Sequence, residues 1–216
     1  MRKGRRAPVV MGRGANELVF SDPATISLPA GVVPGELILI AFVGGAGGSG
    51  FSSTYTHTGY TRVVGVYAGG SNAVVLILAR TATGSDAVTV TTSYGGGIGW
   101  WSSLSWRIAG GIPASVTATY DDTSDLSLNC LPPPITVSKA FLALAIGQLI
   151  DGGTPGLVSS YPAGYTNGRS IVTNPSSNSR PCAAEKTCPA GTETPGAIVL
   201  SSGNWLTSLE VAVARP

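Results

Sequence analysis

The run of residues 37–43, LILIAFV, limits the possible folds of this chain more than any other stretch. It contains seven consecutive apolar residues, lies after Pro34-Gly35-Glu36 and is followed by Gly44-Gly45. A short apolar run that is rich in branched side chains and bounded by turn residues predicts a β-strand covered on both faces. The run is too short to cross a membrane. We therefore expect this strand to lie at the centre of the fold.

A second run of the same kind, FLALAIG at 141–147, follows the first after 104 residues. Two further motifs recur with a shift of 105 residues: Gly-Tyr-Thr, at 59–61 and 164–166, and a Trp-containing run, at 100–104 and 205–209. Each match is short, but they occur in the same order and at nearly the same spacing. The sequence therefore predicts two related halves, at about 16–110 and about 126–216.

The composition favours strands and turns over helices. The chain has 30 Gly and 15 Pro among 216 residues, and no window shows a convincing helical period. We predict an all-β fold: one jelly-roll-like β-sandwich with eight principal strands and an extended N-terminal arm. Further edge strands are expected from the N-terminal part, where 17–31 predicts one or two short strands, and from residues 126–137. The alternative is two tandem small sandwiches divided near 110–135, which is linker-like in its Gly and Pro content. One domain is preferred, because a four-stranded half would leave its apolar strands poorly covered.

The last strand of each predicted half alternates between two faces. The residues expected to face the core are Trp100, Leu104, Trp106 and Ile108 in the first half, and Trp205, Leu209, Val211 and Val213 in the second. The residues expected to face away are Trp101, Ser103, Ser105 and Arg107, and Leu206, Ser208, Glu210 and Ala212. The pattern also predicts that Trp100 and Trp205 are largely buried.

The N-terminal residues 1–15 form a basic arm. Five of the thirteen cations lie there and are the predicted partner-binding residues: Arg2, Lys3, Arg5, Arg6 and Arg13. From residue 14 onward, eight cations face eleven acids, so the body is mildly acidic. Because Arg pairs well with carboxylates, we expect the arm to dock on a neighbouring protein subunit. The arm lacks interleaved aromatic residues, which argues against nucleic acid, and no membrane partner is expected.

The cysteines and the N-terminus indicate where the protein is made. Cys182 and Cys188 are close enough in sequence to close a small ring within a predicted Pro/Ser-rich loop. An odd count of three, with Cys130, and the absence of an apolar signal-peptide core favour free thiols and synthesis in the cytoplasm.

Residues suited to catalysis or metal binding are sparse. His57 is the only histidine, and the chain has no CxxC motif, which argues against zinc. Asp121, Asp122 and Asp125 form one acidic cluster; a solvated turn is favoured over a calcium site there, because the glycine-centred loop pattern is missing. We therefore predict no catalytic, metal-binding or cofactor-binding residues, and a protein that is not an enzyme.

Several aromatic side chains offer a possible platform for stacking a sugar. The candidates are Tyr55, Tyr60, Tyr67, Tyr94 and Trp101. Aromatic residues in a sandwich belong more often to the core or to an interface, so sugar binding is the second hypothesis.

Short motifs across residues 25–216 resemble those of tailed-bacteriophage virion proteins. They are Leu-Pro-Ala-Gly at 28–31 leading into Pro-Gly-Glu-Leu-Ile-Leu at 34–39, the Gly-Tyr-Thr turns, and a closing Trp-containing strand that ends in Arg215-Pro216. Glu36 stands where Asp is common in that family. The N-terminal arm lies outside the resemblance.

The resemblance implies a non-enzymatic β-sandwich on the phage particle. Such a protein would be a head decoration (cement) protein, a head fibre or a tail-associated module. The expected partners are the major capsid protein or other virion subunits, and the expected assembly is a homo-oligomer, with a trimer as the best estimate. The alternative is a carbohydrate- or receptor-binding module of a tail or head fibre.

Overall fold

The structure is a computed structural model that describes residues 6–14, 17–19, 24–45, 55–57, 59–68, 73–86, 88–92, 100–150, 157–171 and 179–216. These residues form seventeen strands and one short 3₁₀ turn, Pro113–Ser115. The strands are β1 Val9–Arg13, β2 Glu17–Val19, β3 Ala24–Ile26, β4 Leu37–Gly45, β5 Tyr55–His57, β6 Thr61–Ala68, β7 Ala73–Thr81, β8 Val88–Thr92, β9 Trp100–Ala109, β10 Val116–Cys130, β11 Ile135–Val137, β12 Phe141–Ile150, β13 Val158–Ser160, β14 Thr166–Ser170, β15 Ser179–Cys188, β16 Gly191–Glu193 and β17 Ile198–Ala214. The predicted all-β class is confirmed. Among the described residues, no helix is long and apolar enough to span a membrane.

Two six-stranded antiparallel sheets form the body of the protein. The first large sheet has the order β1-β9-β4-β7-β6, with β2 also paired to β9. The second large sheet has the order β10-β17-β12-β15-β14, with β13 also paired to β17. In the first large sheet the apolar strand β4 lies between β9 and β7, the last and third-from-last strands of its part of the chain. In the second, β12 lies in the same way between β17 and β15. The two sheets thus share one arrangement of strands.

Two smaller sheets complete the described fold. The first small sheet has the order β3-β8-β5, and the second consists of β11 and β16. In the first part of the chain the antiparallel pairs β4·β9, β5·β8 and β6·β7 are nested one inside the next. Such nesting results when one long hairpin is wound up on itself.

The sheets pack in four layers. The main core lies between the inner faces of the large sheets, with Leu39 and Trp106 from the first and Leu144 and Val211 from the second. The outer face of the first large sheet packs on Ala24, Ile26 and Val90 of the first small sheet. The outer face of the second packs on Ile135 of the second small sheet, with Phe141. Each large sheet is therefore covered on both sides.

The organising strand β4 shows this coverage most clearly. Leu37 to Val43 are at most 1% exposed, as the sequence predicted. Its odd-numbered residues belong to the main core, and its even-numbered residues pack towards the first small sheet. The alternation predicted for the closing strands is also confirmed at Leu104 and Ile108 in β9 and at Leu209 and Val213 in β17. The side chains of Trp100 and Trp205 lie outside the described residues.

Several sequence predictions differ from the structure. The stretch 110–135, which is linker-like in its Gly and Pro content, is mostly β10, a fifteen-residue edge strand. Cys182 and Cys188 lie in β15 instead of a loop, and all three cysteines are free. Ser208, Glu210 and Ala212 do face away from the main core, but they are buried. The second small sheet packs over Ala212, and Ser208 donates to the carbonyl oxygen of Leu131, just before that sheet. Coverage of an outer face depends on strands far away in sequence, which a local pattern does not show.

Candidate functional site

A cavity of about 190 Å³ opens beside β1, where the N-terminal strand meets the second large sheet. Its lining combines apolar, cationic, acidic and hydroxyl side chains: Pro8, Val9, Val10, Arg13, Leu142, Thr166, Asn167, Glu185, Lys186 and Thr187. Strand β1 is the edge of the first large sheet, and β14 and β15 form one side of the second. The cavity therefore lies at the junction between the two sheets.

Glu185 is the buried acid of this site, and three side chains donate hydrogen bonds to its carboxylate. Its carboxylate accepts hydrogen bonds from Arg13 through Nε, at 2.6 Å, and through Nη2. Trp106 Nε1 donates to it at 3.0 Å, and Asn167 Nδ2 donates at 3.1 Å. A bidentate Arg–carboxylate pair with two further donors satisfies a buried charge well. These contacts join β1, β9, β14 and β15 at one carboxylate.

The local backbone explains how Asn167 reaches Glu185. Asn167 has φ of 54°, the only described non-glycine residue with a positive φ. Asn is among the few residues that tolerate this left-handed conformation. The register of β14 against β15 shifts between Thr166 and Arg169, so an extra residue is accommodated at this point. The bulge turns the amide of Asn167 towards the carboxylate.

Arg169 completes the junction from the other side of Trp106. Its guanidinium carbon lies 4.4 Å from the centre of the indole ring, a cation–π contact. Its nitrogens donate to the carbonyl oxygens of Gly14, at 3.1 Å, and Ser105, at 2.8 Å. Burial lowers the pKa of Arg169 to about 10, partly offset by Glu185, so the side chain stays charged at neutral pH. The end of β1 is thus held at two adjacent residues: Arg13 pairs with Glu185, and the carbonyl of Gly14 accepts from Arg169.

Gly14 permits this close approach. A Cβ at this position would lie 2.0 Å from Ser105 Oγ and 2.9 Å from the carbonyl oxygen of Ser27. Its backbone N–H donates to the carbonyl oxygen of Ser105 at 3.0 Å. Any side chain here would push the N-terminal segment away from β9.

A second buried acid, Glu210, lies on the outer face of the second large sheet. It is 0% exposed, and Tyr165 donates to its Oε1 at 2.8 Å, while Oε2 has no hydrogen-bond partner. Burial raises the pKa of Glu210 to about 8, and the negative charge of Glu193 adds to the shift. Lys186 Nζ forms an ion pair with Glu193 Oε1 at 2.7 Å and lies over the ring of Tyr165 at 5.4 Å. We call these four residues, with Gly164, the Tyr165 cluster.

The first half contains a similar group, the Tyr60 cluster, formed by Gly59, Tyr60, Arg80 and Asp86. Arg80 lies over the ring of Tyr60 at 5.7 Å and pairs with Asp86 at 3.4 Å. The hydroxyl of Tyr60 donates to the backbone carbonyl of Asp86 at 3.0 Å. Gly59 and Gly164 both have positive φ, 73° and 79°. In each cluster a glycine, a tyrosine, a cation and an acid meet in the same order along the chain.

The predicted partner-binding cations have different positions. Arg13 lies on Glu185 within the same chain, with its side chain 34% exposed, and Arg6 is exposed before β1. Arg2, Lys3 and Arg5 lie outside the described residues. The structure therefore uses Arg13 to fasten the N-terminal segment to the body, and the other four remain predicted contacts for a partner.

The sequence reasoning did not identify Glu185, Trp106, Arg169 or Asn167 as site residues. One signal was available: Glu185 and Glu210 are single acids within strands whose neighbours are largely apolar or small. Such an acid needs a buried partner, which indicates a hydrogen-bond cluster. The identity of the partners could not be obtained from spacing, because Arg13 and Glu185 are 172 positions apart.

The other candidates from the sequence have no assembled site in the described structure. Asp121 is exposed on β10, and the side chains of Asp122 and Asp125 lie outside the described residues. No group of three His, Cys, Asp or Glu side chains suited to a metal is present among the described residues. His57 lies in β5 and is partly buried, which lowers its pKa.

Two of the proposed sugar-stacking residues are buried. Trp101 is 1% exposed and stacks on Phe42, with ring centres 6.1 Å apart, and Tyr60 is 7% exposed. Neither ring presents a flat face to solvent, so the platform expected from Trp101 and Tyr60 is wrong. The side chains of Tyr55, Tyr67 and Tyr94 lie outside the described residues.

Comparison with known proteins gives no relative. No family model, no curated protein and no solved structure matches this chain.

Proposed function

We propose that this chain is a non-enzymatic structural protein of a bacteriophage particle, a capsid decoration or cement protein attached through its N-terminal segment. The support from sequence is the set of Leu-Pro-Ala-Gly, Gly-Tyr-Thr and closing-strand motifs described above. The proposed partner is the major capsid protein or another virion subunit, with a trimer of the chain as the preferred assembly.

The proposal includes a fold of two related halves, each a jelly-roll-like winding of strands. Its support is the shared strand arrangement of the two large sheets and the nested pairs of the first half. The Tyr60 and Tyr165 clusters are a second likeness between the halves. In each, a cation lies over the ring of the tyrosine and forms an ion pair with an acid.

The observation that carries the proposed attachment is the exposed surface of β1. Val9 and Met11 are 53% and 52% exposed on an edge strand, directly after the exposed Arg6. An edge strand with apolar side chains offers backbone groups and apolar area to a partner. The cations that precede it suit an acidic surface on that partner. Because Arg13 is fixed on Glu185, the strand is presented in one orientation.

The structure changes how the attachment is tested. A truncation of residues 1–13 would remove β1 and leave the buried carboxylate of Glu185 without its bidentate partner. Loss of one partner of a buried ion pair costs about 3–5 kcal/mol, so that variant would confuse unfolding with detachment. Substitutions of the cations before β1 avoid this problem.

The test combines Arg2→Gln, Lys3→Gln, Arg5→Gln and Arg6→Gln in one variant, and measures cosedimentation with capsids that lack the protein. We expect wild-type binding to weaken with salt and the variant to bind at least tenfold more weakly at low salt. A control variant, Arg62→Gln with Lys139→Gln, removes two exposed cations elsewhere, one in β6 and one between β11 and β12, and should keep wild-type binding. Equal binding by the N-terminal variant and the wild type at every salt concentration would refute the anchor.

The second candidate is a carbohydrate- or receptor-binding module. The observation in its favour is the cavity beside β1, whose hydroxyl, amide and charged groups converge in a space of about 190 Å³. A glycan array separates the two candidates: a specific hit that is lost in Thr166→Val would favour the module over the coat protein. Thr166 lines the cavity at its exposed side.

A further inference from the structure

Cys130 and Cys182 meet in a small buried cluster at one end of the second large sheet. Both are 0% exposed and pack with Ile198 and Leu200, next to Tyr161. Cys130 is the last residue of β10, and Cys182 lies in β15. Between these two strands the sheet contains β17 and β12, so the thiols approach each other over the face of the sheet.

Gly147 of β12 creates the space in which the two sulfurs approach. A Cβ built at Gly147 would lie 2.9 Å from Cys130 Sγ and 2.9 Å from Cys182 Sγ. The two sulfurs are therefore no more than twice that distance apart, and no side chain at position 147 separates them. A change of rotamer and a small shift of the edge strand would bring them to the bonded distance of about 2.05 Å.

The pair that is closest in sequence cannot bond in this fold. Cys182 and Cys188 lie in the same strand six residues apart, which places their Cα atoms about 20 Å apart at about 3.3 Å per residue. A disulfide needs Cα atoms within about 7 Å. The thiol of Cys188 instead donates to Glu193 Oε2 at 3.4 Å.

We propose that Cys130 and Cys182 are the site of an intramolecular disulfide, which ties the edge strand β10 to β15. The oxidant is a small-molecule disulfide. One cysteine thiolate attacks it, releases one small thiolate and forms a mixed disulfide; the second cysteine thiolate attacks the protein sulfur and releases the other. The two cysteines lose two protons and two electrons, and the reagent becomes two small thiols.

Burial makes this cross-link slow to form. Burial raises the pKa of Cys130 well above its usual value and that of Cys182 to about 12. The attacking species is the thiolate, so the rate rises with pH and with any opening of β10 and β13. We therefore expect a protein that is isolated with three thiols and bridges over time in an oxidising medium.

The closed ring would include residues 130–182, and long rings give large stabilisation. Applied to this ring, the chain-entropy model and the usual scaling for a domain of this size predict a rise of about 10 °C in the melting temperature. The rise should disappear when a reductant is added. Because the bond reaches the edge strand, protection from hydrogen exchange should increase mainly in β10.

The test incubates the full chain with oxidised glutathione at mildly alkaline pH, and follows thiol count, intact mass and a peptide map. The expected product has lost two hydrogen atoms, keeps one thiol at Cys188 and contains the 130–182 linkage. Cys188→Ala serves as the matched control and should bridge as the wild type does. Cys130→Ala and Cys182→Ala should not bridge, and their melting temperatures should not respond to the reagent.

Four outcomes would overturn the proposal, and each is read on the wild-type chain. They are three thiols that persist after prolonged incubation, a bridge that includes Cys188, a covalent dimer of two chains, and a stable mixed disulfide with glutathione. The wild-type peptide map decides among them even if an alanine variant fails to fold.

Discussion

The Tyr60 and Tyr165 clusters place the same kinds of residue in the same order, yet their tyrosine hydroxyls have different partners. Tyr60 donates to a backbone carbonyl, whereas Tyr165 donates to the carboxylate of Glu210. The first partner carries no charge at any pH, but the second titrates. Two regions with a similar arrangement of residues can therefore respond differently to pH, because only the hydroxyl of Tyr165 donates to a buried carboxyl group.

The pKa values of two buried acids, Asp86 in the Tyr60 cluster and Glu210 in the Tyr165 cluster, shift in opposite directions. Burial acts to raise the pKa of Asp86, but hydrogen bonds from the N–H groups of Thr83 and Gly84, the hydroxyl of Thr83 and the charge of Arg80 lower it overall. The pKa of Glu210 is raised, chiefly by burial. Stability from Asp86 is thus present above the ordinary carboxyl pKa and lost in acid. Stability from Glu210 is present in acid and lost as the pH rises through about 8.

The largest effect is expected from Asp86→Asn. The carboxylate of Asp86 accepts from Thr83 N and Oγ1, both at 2.9 Å, and from Gly84 N at 2.7 Å, and it also neutralises Arg80. The amide of Asn can accept only some of these hydrogen bonds and carries no charge to pair with Arg80. The free energy of unfolding should therefore fall by about 3 kcal/mol in urea titrations at pH 7. The matched variant Glu193→Gln should lose about 1 kcal/mol, because Lys186 is more exposed.

Equal losses of unfolding free energy in Asp86→Asn and Glu193→Gln would show that the two acids stabilise their clusters equally, which would contradict the difference expected between them. The pH dependence gives a second measure. Wild-type stability should decline as the pH falls through the lowered pKa of Asp86, and the Asp86→Asn variant should lack that part of the decline.

An effect of about 2 kcal/mol is expected from Glu210→Gln when stability is followed from pH 6 to pH 8. The folded protein holds the proton of Glu210 more tightly than the unfolded chain does, so wild-type stability falls over this interval. The variant cannot ionise and should not show this decline. Urea denaturation at each pH gives the difference, and parallel pH profiles of the two proteins would contradict the assigned state of Glu210.

The smallest expected effect separates the two glycines. At Gly59 a Cβ would lie 2.8 Å from Arg80 Nη1, whereas at Gly164 it would lie 3.7 Å from Lys186 Cε, an ordinary contact. Each substitution to Ala costs about 1 kcal/mol, because the backbone has a positive φ at both positions, but only Gly59→Ala must also displace the guanidinium of Arg80. We expect Gly59→Ala to be the more destabilising by about 1 kcal/mol in thermal or urea unfolding. A larger loss in Gly164→Ala would reverse the comparison.

Sequence patterns predicted the strands better than they predicted the layers. The apolar run in β4 and the alternation of β9 both agree with the structure. The stretch 110–135 was misjudged because its Gly and Pro residues lie at the ends of β10, while the strand itself is polar and exposed on one side. An edge strand of this kind has no apolar periodicity that would distinguish it from a linker.

The site was predictable only in part. The concentration of cations at the N-terminus was evident from the sequence, and their role in binding a partner stays a prediction. The cavity and its buried acid could not be predicted from the sequence. Glu185 is recognised as a partner of Arg13 and Trp106 only when the fold brings β1, β9 and β15 together.

By itself, the sequence determined where the apolar strands lie and which of their residues share a face, because a strand alternates with a period of two and turn residues act locally. The tertiary structure decided what covers each face. The outward side of β17 is buried under β11 and β16, and Glu210 is fully shielded from solvent there. Desolvation depends on atoms from distant parts of the chain, so only the folded protein fixes the pKa of Glu210, the partners of Glu185 and the meeting of Cys130 with Cys182.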